Sequence, residues 1–266
     1  MNPMPADSMT QDLVQLLQLE NAQLKRELLK ARAELEEFTA SVSHDLRASL
    51  RHVNAYVQII QEDLGDAAPT SIMGHLGTVS QAARQMGRQI DGLTALSRLT
   101  QVELQLTAVD VAPLLQAICA EMVTALKGRA VDWQIAPDCP PLQCDGALLR
   151  QVFLHLLSNA SKFTASRALA QIKVSWQLDV TGLCTLTVAD NGVGFNPQYA
   201  SKLFYVFQRL HGAREFEGLG MGLALTRKII ERHGGTVSAV GVLDGGCSVS
   251  VTLPLAVAPA PQTCSV

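Results

Sequence analysis

The feature that most constrains the fold is a heptad repeat that runs without a break over residues 14–42. Apolar side chains sustained at its a and d positions predict a coiled coil rather than an ordinary amphipathic helix. Asn21 at an a position, with opposite charges at two of three g-to-e′ contacts, favours a parallel dimer. The alternative is a single helix that packs this stripe on the body of the same chain. The a positions are Val14, Asn21, Leu28, Leu35 and Val42, and the d positions are Leu17, Leu24, Ala31 and Phe38.

The repeat leads into the sequence SVSHDLRASL at 41–50, where apolar residues continue to recur every three or four positions. His44 and Asp45 lie off the centre of this stripe and are therefore predicted on a solvated helix face. A neutral imidazole is nucleophilic, and an adjacent carboxylate can hold its tautomer or accept its proton. His44 is thus the candidate for chemistry with Asp45 as its partner, although this pair alone is also typical of ordinary helix surface.

The helix that carries His44 is predicted to continue to about Glu62 and to stop at the breaker sequence GDAAP at 65–69. A second amphipathic helix is predicted over about 71–103. Two long helices joined by a short loop form an antiparallel hairpin, and two hairpins close a four-helix bundle. The pattern therefore predicts a dimeric four-helix bundle with His44 on its outside.

The composition limits the classes of function. With 266 residues and 48% hydrophobic content, the chain can bury a substantial core and form two domains. A net charge of −3 gives no electrostatic reason to expect binding to nucleic acid or to anionic membranes. No apolar run suits membrane insertion and residues 1–12 lack a signal-peptide core, so we expect a cytoplasmic protein. The six cysteines form no CxxC pair, which favours free thiols over zinc or disulfides.

From about residue 104 onward, short β-rich segments alternate with helices. This alternation predicts an α/β sandwich, with one mixed sheet and helices on a face, after the helical region. Asp110 is the expected N-cap of the first of these helices, and a long loop is expected over 191–220. The predicted helices are 110–127, 145–163 and 221–233, and the predicted strands are 105–109, 131–135, 171–178, 184–189, 236–242 and 247–253.

Two segments of this second region contain side chains suited to a nucleotide. In LLSNASKF at 156–163, Asn159 and Lys162 are three residues apart and project from the same helix face. An amide oxygen can ligate Mg²⁺, and an ammonium group can meet a phosphate. In VADNGVGF at 188–195, Asp190 ends a strand and can accept a hydrogen bond from an adenine amino group. The glycines at 192 and 194 let the backbone turn close to a flat base.

A third segment, EGLGMGLAL at 217–225, places Gly218, Gly220 and Gly222 at the start of a helix. Backbone amides at a helix N-terminus favour phosphate, and glycines let it approach. Each segment alone is also typical of a feature without function: the first of a polar helix edge, the second of a tight turn and the third of a glycine-rich loop. All three in this order predict a phosphate-donor site.

Together with FTASVSHDLR at 38–47, these segments resemble the dimeric sensor histidine kinases of two-component signalling, and the resemblance extends over about residues 38–253. The sequences VFQRLH at 206–211 and RKIIERHGG at 227–235 are most similar to the kinase modules of bacterial phytochromes and related light- or PAS-linked kinases.

The resemblance implies an ATP-dependent protein-histidine kinase that phosphorylates its own His44 and passes the phosphoryl group to an aspartate of a response regulator. It implies a homodimer and a Bergerat-type ATP-binding domain, with ATP and Mg²⁺ as cofactors. By motif match, Asn159 would ligate Mg²⁺, Lys162 would contact phosphate and Asp190 would hold adenine. The glycines divide into two groups: base-pocket residues Gly192 and Gly194, and lid-hinge residues Gly218, Gly220 and Gly222.

The heptad repeat, the composition and the resemblance together predict four parts: a coiled coil at 1–37, a dimerisation and phosphotransfer hairpin at 38–103, a catalytic ATP-binding domain at 104–255 and a flexible tail at 256–266. Only a coiled coil precedes the hairpin in this sequence. The input domain is therefore expected to be missing or to belong to a separate sensor protein.

Three positions depart from the usual family pattern. Ser49 replaces a proline, which predicts a straighter helix. Ala48 replaces a Thr or Asn, which predicts little phosphatase activity toward the regulator. His155 replaces an Asn, and no departure removes a predicted nucleotide ligand. Two other classes remain open: an ATPase of the same superfold, and a dimeric scaffold that binds ATP or a regulator without phosphorylating itself.

Overall fold

The structure is a computed structural model that describes residues 6–65, 69–126, 128–180, 182–212 and 215–256. Of the expected tail at 256–266, only residue 256 is described. Most of the predicted loop at 65–69 and Cys264 also lie outside the described residues. The chain divides into two compact units, Met1–Ser97 and Arg98–Val266.

The first unit contains two long helices, α1 (Ala6–Leu64) and α2 (Thr70–Arg98). Arg47 of α1 donates to the Asp91 carboxylate at 2.9 Å, and Ser80 of α2 contacts Asn54 of α1 at 3.3 Å. Because later residues of α1 meet earlier residues of α2, the helices form an antiparallel hairpin, as predicted. Val57, Ala83 and Ile90 are buried.

The heptad stripe of α1 is not covered by any described residue of the first unit. The exposed apolar side chains include those of Leu17, Leu24, Leu28, Leu35 and Phe38. Apolar side chains that recur every three or four positions on a helix are normally buried against another element. The described residues of the first unit offer no such element.

The predicted end of α2 near residue 103 is wrong, because the helix stops at Arg98 and a turn follows. The guanidinium group of Arg232 donates to the carbonyl oxygens of Leu99 and Val102. A carbonyl held by a guanidinium group from another segment favours the turn over a further helical turn at these residues.

The described residues of the second unit form three helices, a short 3₁₀-helix and seven strands. The helices are α3 (Val111–Ala125), α4 (Gly146–Phe163) and α5 (Gly222–Arg232), with the 3₁₀-helix at Pro197–Lys202. The strands are β1 (Thr107–Val109), β2 (Val131–Ile135), β3 (Leu142–Cys144), β4 (Ala170–Leu178), β5 (Leu183–Asp190), β6 (Val237–Val242) and β7 (Gly246–Pro254).

The main sheet has the strand order β2-β4-β5-β7-β6. β2 and β4 are parallel and the other neighbours are antiparallel, so the predicted mixed sheet is confirmed. β1 and β3 form a second, two-stranded antiparallel sheet that the sequence did not predict. The three residues of β3 are too few to show an alternating pattern, and two prolines precede them.

Local signals explain where the helices begin. Asp110 accepts a hydrogen bond from the Ala112 amide at 3.1 Å, and Asp145 caps α4 in the same way. α4 buries Leu149, Val152, Phe153, Leu156 and Leu157 on one face. Each such side chain contributes about 1.5–3 kcal/mol through burial. This packing fixes the rotation of α4 and therefore the direction in which its polar face points.

None of the helices within the described ranges is long and apolar enough to cross a membrane.

Candidate functional site

A cavity of about 460 Å³ opens in the second unit beside α4 and α5. Its volume is within the range of small-molecule sites in proteins. The predicted residues that line it are Asn159, Lys162, Asp190, Gly194, Gly218, Gly220 and Gly222. The fold therefore brings the three sequence segments together at one cavity, and only Gly192 of the predicted nucleotide set does not line it.

Asp190 lines the cavity and is the last residue of β5. Its Oδ1 atom accepts a hydrogen bond from the Gly192 amide at 2.8 Å. Burial raises the pKa of the Asp190 carboxyl, and hydrogen bonds from the Gly192 and Cys247 amides partly oppose that rise. Burial and the Asp190 charge raise the pKa of the Cys247 thiol to about 12, so this thiol is neutral. The Asp190 carboxylate is thus a hydrogen-bond acceptor at the cavity wall.

The turn after Asp190 requires glycine at both predicted positions. Gly194 has φ +59°, and a Cβ atom there would collide with the carbonyl oxygen of Val242. A Cβ atom on Gly192 would lie 2.6 Å from the carbonyl oxygen of Phe163. Larger side chains would therefore push this turn away from its neighbours. Gly194 shapes the cavity wall directly, whereas Gly192 shapes the turn behind it.

Asn159 and Lys162 occupy the α4 side of the cavity, one helical turn apart. The Nζ atom of Lys162 lies 4.3 Å from the ring centre of Phe163, a cation–π distance. Burial, followed by the charge of Arg209, lowers the pKa of Lys162. A bound phosphate would oppose both effects, because it would place negative charge beside the ammonium group.

Gly222 is the first residue of α5, and no side chain caps this helix at Met221. The uncapped amides and the helix dipole make this terminus suited to an anion. His155 of α4 packs against Gly222, and its buried Nδ1 atom has no hydrogen-bond partner. Burial lowers the pKa of His155, which favours its neutral form.

Several cavity residues were not predicted from the sequence. Arg209, His211 and Phe216 come from the long loop, and Cys247 comes from β7. The sequence VFQRLH at 206–211 contains Arg209 and His211, but it indicated a resemblance rather than a position, and Phe216 and Cys247 had no signal. A loop without periodicity does not reveal which of its side chains turn inward.

His44 and Asp45 belong to the first unit. Their side chains are 76% and 77% exposed, as expected for a solvated helix face. The Nδ1 atom of His44 lies 3.2 Å from Oδ1 of Asp45. Because a carboxylate only accepts, this contact requires a proton on Nδ1 and leaves the Nε2 lone pair of a neutral ring accessible.

The described residues contain no group of three or more His, Cys, Asp or Glu side chains that could hold a metal ion. The amide oxygen of Asn159 is one hard ligand at the cavity wall. Mg²⁺ is typically bound through one or two protein oxygens together with phosphates and waters. The donor set therefore fits Mg²⁺ that arrives with a polyphosphate, and it does not fit an all-protein metal cage.

This fold and cavity define a nucleotide-binding ATPase domain. Residues 144–257 match the family described as histidine kinase-, DNA gyrase B-, and HSP90-like ATPase. Two solved structures share the fold: full-length ShkA in complex with AMPPNP, and the histidine kinase AdeS of Acinetobacter baumannii. The ShkA match has a TM-score of 0.60 at 24% identity and covers 85% of this chain and 47% of that one. The AdeS match has a TM-score of 0.55 at 17% identity and covers 80% and 98%.

Two curated relatives extend the similarity beyond this domain. The phytochrome-like protein Cph1 of Synechocystis is 31% identical over 218 residues, which cover 82% of this chain and 29% of the relative. The sensor protein kinase WalK of Staphylococcus haemolyticus is 28% identical over 228 residues, which cover 83% and 37%. The chain thus spans less than half the length of these relatives. It belongs to the sensor histidine kinases and has phytochrome-type similarity, as the sequence resemblance implied.

Proposed function

We propose that this chain is an ATP-dependent protein-histidine kinase that phosphorylates its own His44 and transfers the phosphoryl group to an aspartate of a response regulator. The observation that carries the proposal is the meeting of three separate sequence segments at one cavity. The partly buried carboxylate of Asp190, a lysine, an amide and a helix N-terminus all line that cavity. This is the charge pattern of a purine nucleotide with a polyphosphate tail.

The proposed roles follow from the position of each side chain. Asp190 accepts a hydrogen bond from the adenine amino group, and Lys162 contacts phosphate. Asn159 ligates Mg²⁺, which would neutralise phosphate charge when it is bound. Gly192 and Gly194 shape the base pocket, and the hinge of the lid consists of Gly218, Gly220 and Gly222. ShkA was solved in complex with AMPPNP, a nucleotide of the ATP type, which supports this choice of ligand.

In the proposed reaction, Nε2 of His44 attacks the γ-phosphorus of ATP. The new N–P bond forms as the bond from phosphorus to the β,γ-bridging oxygen breaks, and ADP leaves. Asp45 keeps Nδ1 protonated, so that Nε2 presents its lone pair. An aspartate carboxylate of the regulator then attacks the same phosphorus and the N–P bond breaks. Such transfer depends mainly on positioning and charge neutralisation.

We further propose that the kinase acts as a homodimer in the cytoplasm, with a response regulator receiver domain as its partner. The exposed heptad stripe of α1 supports the dimer, because a second copy would cover it. The proposed division is a coiled coil at 1–37, a phosphotransfer hairpin at 38–103, the ATP-binding domain at 104–255 and a tail at 256–266.

The nearest competing function is ATP hydrolysis, since the matched family also contains the ATPases of DNA gyrase B and HSP90 type. Those relatives use a glutamate on the Asn-bearing helix to activate water. This chain has His155 one turn before Asn159, and no Asp or Glu lies on α4. The histidine kinase reading therefore fits the helix better than hydrolysis does.

Incubation with γ-³²P-labelled ATP and Mg²⁺ tests the proposal. A kinase acquires a protein label that is labile to acid and stable to alkali, and peptide mapping places it on His44. Addition of a receiver domain then moves the label to that domain. Steady release of inorganic phosphate without protein labelling would identify an ATPase. Nucleotide binding with neither label nor release would identify a scaffold.

A further inference from the structure

His211 lies in the cavity but has no role in the proposed reaction. Its Nε2 atom is 2.8 Å from the carbonyl oxygen of Gly194. The carbonyl can only accept, so Nε2 carries the proton and donates. The imidazole ring also packs against two aromatic rings, with centroid distances of 5.4 Å to Phe163 and 5.4 Å to Phe216. One side chain thus contacts α4, the turn after Asp190 and the long loop.

The acceptor of this hydrogen bond is a fixed point. Gly194 is closely packed, because the Val242 and Gly246 carbonyl oxygens occupy the space where a Cβ atom would lie. The turn is also held by the Asp190 carboxylate through the Gly192 amide, and by the Val193 amide, which donates to Phe163 at 3.2 Å. A group that bonds to Gly194 is therefore anchored to the same turn that places Asp190.

On the other side, His211 belongs to a loop whose two described arms are joined to each other. We name residues 207–212 and 215–220 the pocket loop. The Phe207 amide donates to the carbonyl oxygen of Gly220 at 3.0 Å, and the Arg209 guanidinium group donates to that of Phe216. Phe216 in turn packs on Phe163 with a centroid distance of 5.0 Å. A displacement of His211 would therefore also move the glycines of the pocket loop that line the cavity.

We infer that His211 is a positioning residue that fastens the pocket loop to the turn after Asp190 and thereby slows nucleotide release. The inference rests on the proposed nucleotide site. It adds to that site the residue that couples the pocket loop to the turn after Asp190. The hydrogen bond orients the imidazole ring toward Gly194, and the two ring contacts shield that bond from solvent in part. His211 contacts no reacting atom in this role.

Two substitutions separate the hydrogen bond from the ring. His211→Phe keeps an aromatic ring but has no donor, whereas His211→Gln keeps an N–H donor without the ring. His75→Phe, at an exposed position of α2, is the matched control. The measurement is stopped-flow dissociation of methylanthraniloyl-ADP, chased with unlabelled ATP. We expect His211→Phe to accelerate dissociation about five- to tenfold, His211→Gln to stay within about twofold of the unaltered protein, and His75→Phe to have no effect.

The possible outcomes are distinct. Dissociation from His211→Phe at the unaltered rate overturns the inference, and so does a His211→Gln protein that releases the probe as fast as His211→Phe. An unaltered protein that does not bind the probe overturns the proposed function itself. If His211→Phe does not fold, ¹⁵N NMR of the unaltered protein decides: protonated Nε2 supports the anchor, and the tautomer protonated on Nδ1 excludes it.

Discussion

The two units differ in whether their apolar and reactive side chains are buried or exposed. In the second unit, side chains such as Phe153, Leu157 and Ile229 are fully buried, and the chemistry lies in a cavity. In the first unit, apolar residues such as Leu24 and Leu35 are exposed along a helix, and His44 is exposed as well. The second unit thus has a core of its own, whereas the described helices of the first unit leave their apolar stripe uncovered, as the proposed homodimer requires.

The electrostatic environments differ in the same direction. Burial partly desolvates Asp190 and raises the pKa of its carboxyl group. Its charge is therefore less screened by water and acts more strongly on a group that enters the cavity. The His44–Asp45 pair is surrounded by solvent, which screens it and leaves the ring accessible to a large partner. These surroundings suit the proposed roles, in which Asp190 meets a small ligand and His44 meets a receiver domain.

The sharpest test of this contrast is His44→Gln. Glutamine keeps a polar, helix-compatible side chain but has no nucleophilic nitrogen, so we expect phosphoryl labelling to vanish. ATP binding should be unchanged, because the cavity belongs to the other unit. Calorimetric titration with a non-hydrolysable ATP analogue measures binding, and radiolabelling measures transfer. Loss of ATP binding in this variant would contradict the separation of the two functions. His52→Gln, another exposed histidine of α1, is the control.

The reciprocal test removes the acceptor in the cavity. Asp190→Asn replaces one carboxylate oxygen with an amide donor, and we expect ATP affinity to fall about 10- to 100-fold and labelling of His44 to stop. Asn159→Ala should also prevent labelling, through loss of the proposed metal ligand. Asp132→Asn on β2, outside the cavity, is the control. Normal labelling in either cavity variant would show that the nucleotide site is elsewhere.

The same aspartate gives a pH dependence whose sign is fixed by its environment. Because burial raises the pKa of Asp190, the folded protein holds this proton more tightly than the unfolded chain does. Its ionisation therefore opposes folding above the ordinary aspartate range, and this effect fades as the pH falls through that range. We expect Asp190→Asn to raise the thermal midpoint of the nucleotide-free protein at neutral pH. A lower midpoint would mean that Asp190 is stabilising.

A pair of neighbouring leucines tests the exposed helix. Leu28 is an a position and Leu29 is not, although they are 53% and 64% exposed in the single chain. If a second copy covers the heptad stripe, Leu28→Asp should raise the dimer dissociation constant about tenfold or more, because the carboxylate would be buried. Leu29→Asp should have little effect. Equal effects in analytical ultracentrifugation would exclude the proposed register.

Removal of residues 1–31 extends this test. It should weaken dimerisation without abolishing it, because exposed apolar residues such as Val53 and Met86 remain on the hairpin helices. Sedimentation of the truncated and unaltered chains at micromolar concentration measures the change. An unaltered chain that is monomeric under these conditions would remove the argument for a coiled coil.

The smallest expected effect concerns Ala48. It lies one turn after His44 on the same helix, and alanine cannot orient a water molecule for attack on an aspartyl phosphate. We expect little phosphatase activity from the unaltered chain and a modest increase in Ala48→Thr or Ala48→Asn. Either change costs about 0.7 kcal/mol or less of helix propensity. The measurement is the decay of phosphorylated regulator with kinase and ADP, and rapid decay with the unaltered chain would exclude the idea.

Local signals predicted much of the fold. Asp110 and Asp145 begin their helices as N-caps, and β2 occupies the predicted residues. Asn159 and Lys162 share the cavity side of α4 because a spacing of three residues places two side chains on one helix face. Such features depend on residues only a few positions apart, so a single sequence contains them.

Other features depend on distant residues and could not be predicted. α2 ends at Arg98 beside a turn that Arg232 holds, and β3 exists because β1 pairs with it. Gly192 lies behind the cavity wall because the Phe163 carbonyl occupies the space where a side chain would be. No local pattern near these residues reports such contacts.

By itself, the sequence determined the helical hairpin and the order of the helices and strands apart from β3 and the 3₁₀-helix. It also supplied the candidate nucleophile and the residues of the three nucleotide segments. Periodicity and capping act within one or two helical turns, which is why they can be read without a structure. Only the tertiary structure decided that Arg209, His211 and Phe216 turn inward, and that His211 reaches the Gly194 carbonyl. An irregular loop takes its conformation from the surfaces it packs on, and those surfaces come from distant parts of the chain.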